Sequence, residues 1–133
     1  MDITTNFTLE EFEASDMADQ YGLNNSMPAR YFYNLSRLCC LVLQPLRSHL
    51  SCPIKISSGY RCPQLNEFVN GSRTSQHMTA QAADIQCCKM NELIDVLKRG
   101  LVQFDQCIVY ETFVHISYVN MNANRKQFID KRA

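Results

Sequence analysis

Apolar side chains recur at helical spacing over residues 31–46 and predict the longest helix of the chain. They lie three or four positions apart, on one face that should pack against a core; the residues are Tyr31, Leu35, Leu38, Val42 and Leu46. Pro28 suits the first turn of this helix. We expect the helix to run to about Leu50, with Pro45 bending or ending it.

Three shorter helices are predicted at residues 8–14, 63–69 and 90–100. The first begins with a capping box, in which Thr8 caps the helix and Glu11 reaches back to the cap. The third ends at Gly100, a residue type typical of helix C-termini. Residues 17–26 are polar and indicate a loop.

Alternating apolar and polar residues predict four strands in the second half of the chain. They are residues 54–57, 82–87, 106–110 and 113–118. A tight turn at Glu111-Thr112 should make the last two strands antiparallel. The tail from Asn120 is polar and should fray, apart from Phe128 and Ile129. Helices first and strands later indicate an α+β fold with helices packed on an antiparallel sheet. We expect one domain over residues 1–133.

Charge and hydropathy exclude several classes of partner. The 13 Lys and Arg residues balance the 13 Asp and Glu residues, so we expect no nucleic-acid partner and no anionic membrane surface. No apolar run is long enough to span a bilayer. The first residues lack the basic and apolar regions of a signal peptide. We therefore expect synthesis in the cytoplasm without an export signal, and a monomer.

The seven cysteines form no Cys-x-x-Cys pair, which argues against a site with four thiolates. They are Cys39, Cys40, Cys52, Cys62, Cys87, Cys88 and Cys107. An odd number of thiols favours reduced cysteines that pack as small apolar residues. The alternative is one or two disulfides formed later in an oxidising space.

Two of the three histidines stand in segments that could hold a metal ion. His77 precedes Asp84 by seven positions, and His115 lies in a predicted strand. Two imidazoles and one carboxylate are a minimal protein ligand set for catalytic zinc, which keeps one coordination position open. Ordinary core or surface roles for these residues remain the alternative. His49 has no such partner and indicates a helix end.

Six segments occur in the order found in a known family of peptidases. They are residues 7–12, 43–47, 56–66, 75–84, 104–106 and 114–117. On these segments the chain resembles the zinc D-Ala-D-Ala carboxypeptidase family, cell-wall peptidases that share a fold with the hedgehog signalling domain. The resemblance is closest to the small phage- and prophage-type members. It covers nearly the whole chain and includes a Ser-Gly-Tyr-Arg motif at residues 58–61.

The resemblance implies a function and a set of site residues. It implies that His77, Asp84 and His115 bind Zn²⁺, and that Arg61 contacts the substrate or the developing oxyanion. Ser75 and Gln76 stand next to His77 and could bind substrate or orient that ligand; ordinary turn chemistry is the alternative. The expected substrate is a peptidoglycan stem peptide, and the expected place of action is the cell wall or periplasm.

Three departures from the family pattern concern the turn after His77 and the catalytic base. Ala80 stands where the family has glycine, and Thr112 stands where many members have an acidic base. The segment from Glu111 to His115 is also short. Glu111 is the nearest carboxylate, and a regular strand would put it on the same face as His115. We predict Glu111 as the general base; Asp105, or a solvated turn role for Glu111, is the alternative.

Three hypotheses therefore remain open. The first is a zinc peptidase that cuts a D-Ala-D-Ala bond or an internal L-Ala-D-Glu bond of the stem peptide. The second is a degenerate member that binds zinc and acts as a non-catalytic wall-binding or structural module. The third is a metal-free interaction domain.

Overall fold

A five-stranded sheet and a smaller two-stranded one organise the protein, shown here in a computed structural model that describes residues 1–132. The strands are β1 (Asp2–Thr4), β2 (Phe7–Thr8), β3 (Lys55–Ser58), β4 (Ala82–Gln86), β5 (Gln106–Val109), β6 (Val114–Ser117) and β7 (Gln127–Asp130). β1 pairs with β2. The larger sheet has the order β3-β4-β6-β5-β7, antiparallel except for the parallel pair of β5 and β7.

Six α-helices accompany the sheets. They are α1 (Leu9–Glu13), α2 (Asp16–Gln20), α3 (Phe32–Leu38), α4 (Gln44–Leu50), α5 (Pro63–Phe68) and α6 (Met90–Lys98). The predicted α+β class is confirmed, and the predicted helices and strands are all present. Within residues 1–132, no helix combines the length and the apolar character that a bilayer crossing requires.

The long predicted helix is present but irregular. A 3-10 turn at Ala29–Tyr31, α3, a π-helical segment at Cys39–Leu43 and α4 follow one another without a break. Pro45 has no N–H to donate, yet the helix continues past it. The π-helical segment lies just before Pro45, and there the Gln44 N–H donates to the Cys39 carbonyl, five residues back. A wider turn of this kind lets a helix absorb a local irregularity.

The capping box is confirmed, whereas the loop predicted after it is partly wrong. Thr8 and Glu11 cap α1 reciprocally. Residues 17–20, predicted as loop, belong to α2 instead. The Ser15 hydroxyl accepts a hydrogen bond from the Ala18 N–H at 3.1 Å, and Asp16 lies in the first turn, where a negative charge is favourable. This short cap supplies a helix start that apolar periodicity does not reveal.

Alternation along the central strands separates a core face from a polar face. Ala83 and Ile85 of β4 and Val114 and Ile116 of β6 are fully buried in the hydrophobic core, which the helices also build. Side chains alternate between the two faces of a strand. The residues between these apolar ones therefore emerge on the opposite face, where the polar chemistry lies.

The prediction that the tail frays is wrong. Residues 127–130 form β7, which pairs in parallel with β5 at the sheet edge. Phe128 packs against the core. The Gln127 N–H donates to the Asp105 carbonyl at 3.0 Å. The strand is held mainly by hydrogen bonds to distant residues, so its own polar sequence does not predict it.

All seven cysteines are free thiols, and the core forms around them without a disulfide. We therefore expect thermal unfolding of freshly purified protein to occur at nearly the same temperature with and without reductant. Calorimetry in paired samples measures this. A clear fall of the melting temperature in reductant would contradict it.

Candidate metal centre

The register of two central strands places two predicted ligands side by side. Asp84 of β4 lies directly opposite His115 of β6 in an antiparallel pair. Directly opposite residues of such a pair have Cβ atoms about 4.5–5.5 Å apart. Both side chains lie on the face opposite to Ala83 and Ile85. The alternation that buries the apolar residues therefore also brings these two polar ones together.

His77 reaches the same place from a 3-10 helix at Gln76–Thr79. The Ser75 hydroxyl caps this helix by accepting a hydrogen bond from the His77 N–H at 3.2 Å. His77 is buried, and its Nδ1 lies 2.7 Å from the Gly59 carbonyl. Only a protonated Nδ1 can donate to a carbonyl, so the neutral ring carries its lone pair on Nε2. Metal-binding histidines are commonly oriented in this way.

The Gly59 carbonyl is held in position by close packing on α1. A Cβ at Gly59 would lie 2.6 Å from the Phe12 Cα and carbonyl oxygen, which is too close for any side chain. The Tyr60 N–H donates to the same Phe12 carbonyl at 2.7 Å. Asn25 supports the segment by donating to the Tyr60 carbonyl and accepting from the Cys62 N–H. The sequence offered no signal for Asn25 beyond an amide residue in a loop.

The three ligand atoms have a spacing that suits a tetrahedral ion. Asp84 Oδ1 lies 3.3 Å from His77 Nε2 and 2.9 Å from His115 Nδ1. One ligand atom from each of the three residues lies within 4.8 Å of the other two. Zinc–ligand bonds of about 2.0–2.1 Å imply ligand–ligand separations of about 3.3 Å in a tetrahedron. In the neutral His77 ring the Nε2 lone pair faces a carboxylate oxygen at 3.3 Å, and either a proton or a metal ion between these two acceptors satisfies both. The group therefore fits zinc.

Asp84 is the shared member of this group and also contacts Arg61. Its Oδ2 lies 3.7 Å from the Arg61 guanidinium. Burial by itself would raise the pKa of Asp84, but the contacts with the His115 and His77 imidazoles outweigh burial and hold that pKa well below its ordinary value. The carboxylate is therefore ionised at neutral pH, as a metal ligand must be.

The backbone after His77 makes a left-handed turn at Ala80, the position where the resemblance places a glycine. Ala80 ends the 3-10 helix at φ 59° and ψ 30°, in the left-handed region. Glycine adopts this region freely, whereas alanine is strained there. The chain therefore has alanine instead of glycine at this position, and the backbone still makes the left-handed turn.

The structure places the predicted catalytic base on the turn between β5 and β6. Glu111 is exposed there, and its charge acts on Arg132 after β7. β6 begins at Val114, so strand alternation does not extend back from His115 to Glu111. The argument that a regular strand places Glu111 on the same face as His115 therefore fails. The assignment of Glu111 as general base stays a prediction.

Asp105, the alternative base, is buried in a hydrogen-bond network. Its carboxylate accepts from the Arg125 guanidinium at 2.8 Å and from the Gln76 amide at 2.9 Å. Burial would raise the pKa of Asp105, but the hydrogen bonds from Arg125 and Gln76 lower it to about 2. A group with this pKa is a poor proton acceptor near neutral pH.

The predicted substrate contacts lie in two different clefts. Ser75 and Gln76 line a cleft of about 370 Å³ together with His115. Arg61 lines another, of about 340 Å³, beside α1 and β3. Sequence reasoning did not identify Arg125, which lines the first cleft.

An α+β protein with two histidines and one aspartate grouped in this way belongs to the class of candidate zinc enzymes. Comparison with protein-family models finds a match to Peptidase M15 over residues 5–117. The chain therefore belongs to the peptidase M15 family. M15 peptidases depend on zinc, and the described residues include a group that can hold a metal ion. A comparison with curated proteins found no match.

We expect about one zinc ion per chain in protein purified without chelator, and a loss of that zinc in His77→Ala. Removal of one of three protein ligands should destroy the site. Elemental analysis measures the stoichiometry, with circular dichroism as a check on folding. The matched control is His49→Ala, an exposed helix-end histidine. Stoichiometric zinc in His77→Ala would refute the ligand assignment.

Asp105 should stabilise the fold in a pH-dependent way. Its folded pKa of about 2 lies below its ordinary value. Its contribution is therefore complete above about pH 4 and is lost as the pH falls through about 2. We expect Asp105→Asn to lower the free energy of unfolding by about 2 kcal/mol near pH 6.

This loss should shrink as the pH approaches 2, and urea titrations across the pH range measure it. Asp95→Asn is the control, because its pair with Arg99 is exposed and worth little. A loss that stays constant over the whole range would contradict the assigned role of Asp105.

Proposed function

We propose that the protein is a zinc-dependent peptidase that hydrolyses peptidoglycan stem peptides. The observation that carries the proposal is the convergence of His77 Nε2, Asp84 Oδ1 and His115 Nδ1 in a chain of the peptidase M15 family. The adjoining cleft of about 370 Å³ is large enough for part of a peptide. The candidate bonds are a terminal D-Ala-D-Ala bond and an internal L-Ala-D-Glu bond.

In this proposal the three ligands hold zinc, and neighbouring groups hold the ligands. Gly59 fixes the tautomer of His77, and Arg61 draws the second oxygen of Asp84 away from the metal side. When bound, zinc supplies Lewis-acid chemistry and lowers the pKa of a coordinated water. The polar support orients the ligands before substrate arrives, which is the usual function of such surroundings.

Ser75 and Gln76 are assigned to the binding of the peptide backbone. Both line the cleft beside His115. The Gln76 amide nitrogen donates to Asp105, so the side-chain carbonyl is the group offered to a substrate N–H. The Ser75 hydroxyl accepts from the His77 N–H and retains a proton to donate. Arg61 is assigned to the substrate side of Asp84, where it would stabilise developing negative charge.

Proton acceptance is assigned to Glu111. Asp105 is unsuited to it, because its pKa is about 2 and Arg125 holds it. Glu111 lies four residues before His115, on an exposed turn. Catalytic hydrogen bonds are often formed only in the substrate complex, so the assignment requires the turn to approach the bound peptide.

A second candidate function is a zinc-binding module without hydrolytic activity. Thr112 occupies the position where related peptidases have an acidic residue, and Glu111 is displaced onto the turn. Such a protein would bind wall peptides without cutting them.

The proposed setting is the cell wall or periplasm, where a monomer would lyse or remodel peptidoglycan. The small size and the motif order resemble phage- and prophage-type enzymes.

Glu111→Gln should reduce the hydrolysis of peptidoglycan fragments about a hundredfold or more, since general-base catalysis typically contributes about 10²–10⁴-fold. Zinc content should not change, because Glu111 is exposed and is not a predicted ligand, and circular dichroism checks that the variant is folded. Chromatography of released peptides measures turnover. Glu92→Gln, an exposed carboxylate on α6, is the control and should keep full activity.

Two results would change the interpretation. Unchanged turnover in Glu111→Gln would assign proton acceptance to another group. An unmutated, zinc-loaded protein that binds stem peptides and cleaves none of them would favour the non-catalytic module.

A further inference from the structure

A guanidinium lies in the cleft beside His115, in a part of the chain outside the family match. The match ends at residue 117, and Arg125 follows it in the tail that leads into β7. Arg125 lines the cleft together with His115, Ser75 and Gln76. Among the described residues that line this cleft, none is a carboxylate. The cleft therefore suits an anionic group.

Arg125 is anchored at one edge of its guanidinium and exposed elsewhere. Its backbone N–H donates to Asp105 Oδ1 at 2.8 Å, and its Nη2 donates to Asp105 Oδ2 at 2.8 Å. Its Nε lies 3.1 Å from Oδ1 of the same carboxylate. The Asp105 side chain is 2% exposed, whereas that of Arg125 is 53% exposed. One buried carboxylate thus fixes the guanidinium and leaves further N–H donors facing solvent.

Arg61, which also lies near this group, already uses its N–H donors within the protein. Arg61 donates to the Ser58 hydroxyl and the Asn66 side-chain oxygen, both at 3.3 Å. It also pairs with Asp84, and its side chain is 17% exposed. Arg61 therefore acts on its own side of Asp84, while Arg125 has donors available on the His115 side.

We propose that Arg125 binds a carboxylate of the substrate peptide in the cleft beside His115 and thereby sets specificity for acidic peptides. The inference rests on the proposed function of this site. Asp105 neutralises the net charge of the arginine but leaves its outer N–H donors unused. A planar guanidinium held rigidly at one edge is pre-organised to receive a second carboxylate at another edge.

A stem peptide offers two carboxylates with this chemistry. One is the C-terminal carboxylate of D-Ala, and the other is the free α-carboxylate of D-Glu linked through its γ-carbonyl. The test therefore uses three peptides: L-Ala-γ-D-Glu-L-Lys-D-Ala-D-Ala, its C-terminal amide, and its D-isoglutamine analogue. Each amide removes one of the two charges and keeps the size of the peptide.

Dissociation constants by calorimetry and kcat/KM are measured for zinc-loaded unmutated protein, Arg125→Gln and Arg125→Lys. For the unmodified peptide, Arg125→Gln should weaken binding and lower kcat/KM roughly ten- to a hundredfold, the size expected for one charge-assisted hydrogen bond. For the peptide in which the carboxylate bound by Arg125 is amidated, Arg125→Gln should change the dissociation constant and kcat/KM little. Arg125→Lys should retain part of the discrimination. Arg73→Gln, an exposed arginine of another cleft, should behave like the unmutated protein.

The outcomes separate this inference from the proposed function. Binding with the expected pattern, but without cleavage, would support Arg125 and refute the peptidase. Cleavage with equal losses for all three peptides would indicate that Arg125 only anchors the tail, and would overturn the inference. Cleavage and binding that do not change in Arg125→Gln would overturn it as well.

Discussion

The arrangement of the polar face depends on one buried carboxylate. Asp84 is 8% exposed, and a buried charge is costly unless it is paired. Its two oxygens contact different partners: Oδ1 faces His77 and His115, and Oδ2 faces Arg61. Removal of one partner of a buried charge typically costs about 3–5 kcal/mol. The fold must therefore bring two strands, a 3-10 helix and the segment after β3 to the same carboxylate, whether or not a metal ion is present.

The sequence predicted those helices and strands that depend on contacts between residues close together in the chain. The capping box at Thr8 and Glu11 and the apolar stripe of the long helix involve residues close in sequence, and both appear as expected. The alternation around Asp84 and His115 also explains their common face, because their apolar neighbours are buried on the other one. Elements held by distant partners were not predictable. β7 depends on pairing with β5 and on the Asp105 carbonyl, and Arg125 is held by the Asp105 carboxylate, twenty residues earlier in the chain.

Two departures from the family pattern have different physical consequences. Ala80 keeps the left-handed turn at a strain of about 1–2 kcal/mol, which burial of its methyl group offsets by about 0.8 kcal/mol. The turn that presents His77 is therefore retained. The departure at Thr112 cannot be compensated by a nearby contact, because a hydroxyl does not accept a proton as a carboxylate does. With threonine at this position, the general base must be another residue, and Glu111 is the one proposed. His77, Asp84 and His115 are not affected by the departure.

The three candidate metal ligands and Arg125 come from different parts of the chain. His77, Asp84 and His115 lie inside residues 5–117, which match the peptidase family. Arg125 comes from the tail beyond that match, and the Asp105 carboxylate links the two parts by holding both Gln76 and Arg125. Because Gln76 adjoins His77 in the sequence, the same buried carboxylate positions two residues that line the cleft beside His115. On the proposal that Arg125 contacts the substrate, changes in the tail would alter which peptides bind while the geometry of His77, Asp84 and His115 stays the same.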